Sequence, residues 1–185
     1  MGEKVEGYLE LDEIQARVRI SEGKAKQLKE ACIWALWFCG HSNGVRLSVV
    51  EAGASASYPI NWAEDQLDAE AVRRSYNQDD ATEYGAEALA LLLAIQRTEY
   101  DAVERSVTSS GIDYWLGFKD GNSAQPFQRA SRLEISGIMK ETAGNRVSAR
   151  VKQKLEKANL SAHSFPVYVT VVEFGQPYAL LALRK

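Results

Sequence analysis

The sequence predicts a mixed α/β fold, and three observations carry that prediction. An acid-bearing helical run, DATEYGAEALALLLA, starts at Asp80 and is followed by three β-type segments within residues 98–139. A basic helical run, RVSARVKQKLEKAN, comes next. The third is PVYVTVVEF, a nearly continuous β-branched stretch of the kind that a sheet covered on both faces requires. The order over residues 80–174 is therefore helix, strand, strand, strand, helix, strand. Residues 1–79 read as an α+β elaboration packed on a core domain that spans 80–185.

Composition bounds the answer. A chain of 185 residues, 45% hydrophobic, with four Trp, eight Tyr and five Phe, can bury a real core. The formal charge of -3 argues against a general nucleic-acid coat, although a local positive groove is compatible with it. Cys32 and Cys39 sit in one helical run and form no CxxC pair, so reduced thiols in a cytoplasmic protein are expected. The apolar WALWF run is far below the roughly 20 residues a membrane span needs. No signal peptide is evident, and Glu6 breaks the myristoylation pattern.

Taken in order, residues 1–20 are mixed, with ARVRI (16–20) as a candidate edge strand. Residues 22–39 show helical spacing, with Leu28, Cys32, Leu36 and Cys39 on one side and Lys24, Lys26 and Lys29 on a solvated face. Residues 45–50 predict a strand, with 57–60 as its hairpin mate. Asn61 is a candidate cap for a helix reaching about Ser75. Asp80 with Glu83 reads as a capping box for the helix that runs to Ile95, and Gly85 and Ala86 allow close packing. Strands follow at 98–107, 112–118 and 132–139, with a turn at 108–111 and a loop at 121–126. A helix over 144–159, a strand over 167–174 and a last short element, YALLAL, complete the chain.

Strand parity singles out two carboxylates. Asp113 and Trp115 point one way and Ile112, Tyr114 and Leu116 the other; Glu134 shares a face with Arg132 and Ser136. A lone carboxylate in an apolar strand needs a cation or a hydrogen-bond partner. If the two strands are neighbours, Asp113 and Glu134 together suit one hard divalent ion, since Mg²⁺ takes oxygen ligands and keeps several waters. Glu87, four residues after Glu83, is a third candidate. The competing reading pairs Asp113 or Glu134 structurally with Arg132 or Arg129 and leaves Glu87 solvated.

The element order with these three acids resembles the PD-(D/E)XK nuclease superfamily over about residues 80–174. The resemblance implies a restriction-endonuclease-like core. It implies phosphodiester hydrolysis with Mg²⁺ or Mn²⁺, with Glu87 matching the acid of the first helix, Asp113 that of the second strand and Glu134 that of the third. DNA is favoured over RNA as the partner through the resemblance alone. The pattern's glutamate-x-lysine reads Glu134-Ile135-Ser136 here, so the usual lysine is replaced by a serine. Lys140 has the right parity but lies four residues past Ser136, roughly 13 Å along a strand. Some members of that superfamily carry the cation on the following helix. Here Arg146, Arg150, Lys152, Lys154 and Lys157 against Glu156 make residues 144–159 net +4. Lys154 is the candidate catalytic cation, and Ser136, Arg150 and Gln153 are candidate phosphate contacts.

The alternative function is a nuclease-like scaffold that no longer cleaves and binds nucleic acid or a protein partner. Trp34, Trp37 and Phe38 suit helix packing or a homodimer face equally. Tyr114, Trp115 and Trp62 read first as core and second as base-stacking residues. His41, His163 and Glu173 read first as structural groups.

Overall fold

The computed structural model describes residues 7–107, 112–118, 127–160 and 165–184. It is a mixed α/β fold: helices pack on a curled eight-stranded sheet. The strands are β1 (Leu9–Glu10), β2 (Arg46–Glu51), β3 (Ala54–Asn61), β4 (Ala102–Arg105), β5 (Tyr114–Phe118), β6 (Gln128–Ile138), β7 (Val167–Glu173) and β8 (Tyr178–Arg184). Their order across the sheet is β1-β3-β2-β8-β7-β6-β5-β4. The helices are α1 (Ile14–Val18), α2 (Glu22–Phe38), α3 (Ala69–Ser75), α4 (Gln78–Arg97) and α5 (Val147–Leu160). The turn at 108–111, the loop at 121–126 and His163 fall outside the described residues.

Two clusters of buried side chains lie on opposite faces. On one face Leu133 and Ile135 of β6 pack with the apolar side of α4, itself held against α2. Gly85 permits that helix contact, because a Cβ there would stand 3.0 Å from the Cys32 Cα. On the other face Val147 and Val151 of α5 cover Val167, Val169 and Val171 of β7. The buried-on-both-faces expectation for PVYVTVVEF is met: β7 is buried from Val169 to Glu173. β6 and β7 are parallel with α5 as the crossover, while β4, β5 and β6 pair antiparallel. The sheet is continuous across residue 80, since β2 pairs in parallel with β8.

Several local expectations are corrected. ARVRI forms no edge strand: residues 14–18 are helical, and the edge is Leu9–Glu10, parallel to β3. Asn61 ends β3, opposite Glu10, and caps nothing; α3 begins eight residues later, with Asp68 accepting from the Ala71 N–H at 3.0 Å. The cap of α4 is Asn77 rather than Asp80. The Asp80 N–H donates to Asn77 Oδ1 at 2.9 Å, and Asn77 Nδ2 donates back to Asp80 Oδ2 at 2.7 Å. The hairpin of β2 and β3 closes at Ala52-Gly53, both left-handed with φ of 49° and 83°, the pairing a tight primed turn needs.

The length mismatch between strands positions the site. β5 begins at Tyr114, opposite Leu133, whereas β7 pairs with β6 from Arg132 to Ile138. Among the described residues no strand pairs with Glu134–Ile138 on the β5 side. α4 crosses this end so closely that a Cβ on Gly137 would lie 2.2 Å from the Thr82 carbonyl oxygen. Gly137→Val therefore forces helix and strand apart, and overpacking of this sort costs about 1–3 kcal/mol or more. A lowered urea midpoint with the slope retained is the expected outcome; an unchanged midpoint would show that α4 is free to lift.

Candidate functional site

The free edge of β6 opens into a cleft of about 690 Å³. Its floor is Ile135–Met139. The α4 wall presents Asp79, Glu83 and Glu87, and the opposite side presents Lys140, Arg150 and Lys154. Asp113, just ahead of β5, and Arg105, at the end of β4, close the remaining side. The cleft thus has an acidic wall from α4 and a basic side from α5 and the turn after β6.

The basic wall follows from matched periodicities. Glu134 and Ser136 are two residues apart on β6, about 6.7 Å; Lys154 and Arg150 are four apart on α5, about 6 Å. The helix runs against the strand direction, so the pairs meet in register. Lys154 Nζ lies 2.5 Å from Glu134 Oε2, and Arg150 donates to Ser136 Oγ at 3.1 Å and to Asn145 Oδ1 at 2.7 Å. Burial pushes the Glu134 carboxyl above the ordinary value of 4.5; Lys154 opposes the shift and Asp113 adds to it. Arg150 differs from its neighbour in that both its acceptors are neutral.

Asp113 is fixed by the backbone. Its N–H donates to the Leu133 carbonyl at 3.0 Å, and its Oδ2 accepts the Ile135 N–H at 2.7 Å. That carboxylate takes over the ladder position that β5 has not yet begun to fill. Glu87 is only 4% exposed. Its Oε1 accepts the Tyr114 hydroxyl, with Lys24 Nζ at 3.0 Å and an Arg105 nitrogen at 3.6 Å. Arg105 also stacks 4.9 Å over the Tyr114 ring. Burial pushes the Tyr114 phenol up, and the neighbouring Glu87 adds to that, so it remains a hydrogen-bond donor.

Glu87, Asp113, Ser136, Arg150 and Lys154 therefore line one cleft, and Glu134 joins through Lys154. Gln153 does not: it is exposed and outside the cleft lining. Neither arginine rival pairs with Glu134, since Arg132 donates to the Phe165 carbonyl at 2.8 and 3.1 Å and Arg129 to Glu104 at 2.7 Å. Nor is Glu87 solvated. The lysine face of α2 is partly committed: Lys24 reaches Glu87 and Lys29 pairs with Asp12, while Lys26 is exposed. Lys140, placed about 13 Å along the strand by counting, lines the cleft because β6 ends at Ile138 and the chain turns there. Lys24, expected on a solvated face, instead reaches the buried Glu87, while Arg105 carries no signal in the sequence and Tyr114, expected as core, adds its hydroxyl.

The remaining candidates are structural. His41 Nε2 lies 2.9 Å from the Phe174 carbonyl and 3.1 Å from that of Gly175. Glu173 accepts three backbone N–H groups, from Glu141, Gly175 and Gln176. Trp62 is core.

Among the described residues no group of three or more His, Cys, Asp or Glu side chains forms a metal cage. None of their helices is long and apolar enough to cross a membrane. Compared with known proteins, the chain matches no family model, no curated protein and no solved structure.

The raised Glu134 value carries a pH signature. A carboxyl that holds its proton more tightly when folded contributes stability that is fully present below the unfolded value, 4.5, and is lost as pH rises through the folded value. Urea midpoints of the parent, relative to Glu134→Gln, should fall as pH is raised through that window. A parent that gains stability over the same window would reverse the assignment.

Proposed function

We propose that this cleft performs metal-dependent hydrolysis of phosphodiester bonds in nucleic acid, DNA by preference, on a restriction-endonuclease-like core in a cytoplasmic protein. The observation that carries the reading is the arrangement of Glu87, Asp113 and the Glu134–Lys154 pair around one cleft. They come from the first helix, the residue that leads into the second strand, the third strand and the second helix of an α-β-β-β-α-β succession. That is the order the PD-(D/E)XK resemblance implies.

The donor set suits a hard divalent ion with a small protein share. Asp113 commits Oδ2 to Ile135 and Glu134 commits Oε2 to Lys154, which leaves one oxygen of each as the ligand atom on offer. Two carboxylates are the number Mg²⁺ accepts while retaining water. When bound, Mg²⁺ or Mn²⁺ supplies Lewis acidity toward phosphoryl oxygens. Glu87 stands one wall away and holds charge rather than a bare ligand position. Lys154 contributes the cation that Ser136 lacks, aimed from α5 instead of β6. Arg150 and Ser136 orient a phosphate beside it, and the low-dielectric wall around Glu134 strengthens each of these interactions.

A second reading, a non-cleaving scaffold that binds nucleic acid or a protein partner, is favoured by one specific observation. Every carboxylate of the set is already engaged within the chain: Glu87 by three donors, Glu134 by Lys154 and Asp113 by a backbone amide.

Cleavage of supercoiled, linear and single-stranded DNA and of RNA in Mg²⁺ and Mn²⁺ separates the two. Hydrolysis by the parent, lost in Asp113→Ala and Glu134→Ala and about 100-fold slower in Lys154→Ala, is expected. No cleavage on any substrate, with no metal uptake by calorimetry, would leave the scaffold as the function.

A further inference from the structure

The sheet face that carries Glu134 continues away from the cleft, and what it presents there is aromatic. Trp115 stands opposite Arg132, two residues before Glu134 on β6, and so shares that face. Its ring meets Phe165 edge-on, with centroids 5.5 Å apart at 82°. Arg129 lies 4.9 Å over the Trp115 ring and is tied to Glu104 at 2.7 Å. Trp115 is consequently buried at 8% exposure, whereas Phe165 is 37% exposed. The Phe165 main chain is held by Arg132, only 4% exposed itself, which donates twice to the Phe165 carbonyl, and the ring rests edge-on against Trp115.

The platform and the cleft lie along a single strand. Reading down β6, Ser136 meets Arg150, Glu134 meets Lys154, and Arg132 meets Phe165. These are steps of two residues, so Arg150 and Phe165 stand at the ends of a track roughly 13 Å long. At one end is a guanidinium with only neutral acceptors, Ser136 and Asn145, and no carboxylate paired with it among the described residues. At the other is an aromatic ring seated edge-on against Trp115 with part of its surface in solvent. α5 packs over β7 and β8 and reaches β6 through its basic side, so it borders the track without covering β5.

We infer that the track binds a single-stranded nucleic acid, with a phosphate at Arg150 and an unpaired base stacked on Phe165 a few nucleotides away. The inference rests on the nucleic-acid reading of the cleft and narrows its substrate. Charge complementarity supplies the first contact: an unpaired cation is the group that a phosphate seeks and that an apolar protein segment avoids. Geometry supplies the selectivity. A base offers its face to a protein ring only when it is out of the duplex stack, and stacking of that kind is tolerant of sequence. A duplex can reach Arg150 through its backbone but cannot use Phe165.

The test is fluorescence anisotropy of the full-length protein in EDTA, where hydrolysis is stopped, with labelled single-stranded DNA, single-stranded RNA and blunt duplex of equal length. The parent is expected to bind the single strands at least tenfold more tightly than the duplex. Phe165→Ala should weaken single-strand binding about tenfold and leave duplex binding unchanged. Phe165→Trp should retain the affinity while Phe165→Leu loses it, which separates stacking from apolar bulk. Arg150→Gln should weaken both forms and lower the salt dependence of binding by about one phosphate contact. Phe165→Ala binding single strands like the parent, an equal loss on duplex, or equal behaviour of the Leu and Trp variants would each overturn the inference. Cleavage reports separately: hydrolysis with a silent Phe165 keeps the nuclease and removes the track, and strand binding without hydrolysis does the reverse.

Discussion

Strand β6 outruns the strand beside it, and the site depends on that mismatch. Where β5 begins, at Tyr114, the antiparallel ladder has reached Leu133; β6 continues for five more residues with only β7 alongside. A sheet edge left in mid-fold exposes backbone groups that need partners. Asp113 supplies one, its carboxylate standing where a strand carbonyl would accept the Ile135 N–H. The gap is therefore not an accident of loop length. It is a slot whose rim is defined by a side chain that serves both as ladder surrogate and as candidate ligand, and whose floor carries a glycine so that α4 can press against it.

Charge of both signs is then distributed around the slot. Asp79, Glu83, Glu87 and Asp113 are balanced by Arg105, Lys140, Arg150 and Lys154, four against four, so the cleft is neutral in sum and polar in layout. The buried carboxylates are the costly members, and each is compensated locally. Glu87 takes its compensation from elements far apart in sequence, α2, β4 and β5, and so ties α2 to the rim of the cleft. Loosening α2 would change the field inside a site to which α2 adds no lining residue.

Much of this was legible in the sequence, and the reasons are physical. Periodicity of two and of 3.6 fixes element type and facing, which is why the helix–three strands–helix–strand order could be anticipated; that Glu87 and Asp113 line one cleft was suggested by the family resemblance and not by periodicity. Helix starts were less legible because polar residues cluster there: Asn77 and Asp80 are both competent caps, and the outer one prevails by bonding the inner. Asn61 carried the same signal and lies in a strand because its neighbours Tyr58 and Ile60 have an apolar surface to bury. Long-range partners were not legible at all. Nothing near Lys24 announces a carboxylate sixty-three residues on, and a lysine stem long enough to snorkel out is long enough to reach inward.

The position of Lys154 follows from the packing of α5. A lysine on β6 two residues past Glu134 would have its position set by the sheet alone. Lys154 instead owes its position to a helix seated by Val147 and Val151 on β7, one strand over. Its reach to Glu134 is set by the same seat that delivers Arg150 to Ser136, because one helical rise spaces both. The two cations move together or not at all. Small apolar changes under α5 should therefore act on the electrostatics of the cleft in a way that changes at a strand-borne lysine would not. The hydrophobic contact beneath the helix is in this sense part of the site, since it decides how far two positive charges stand from the carboxylate and the hydroxyl they face.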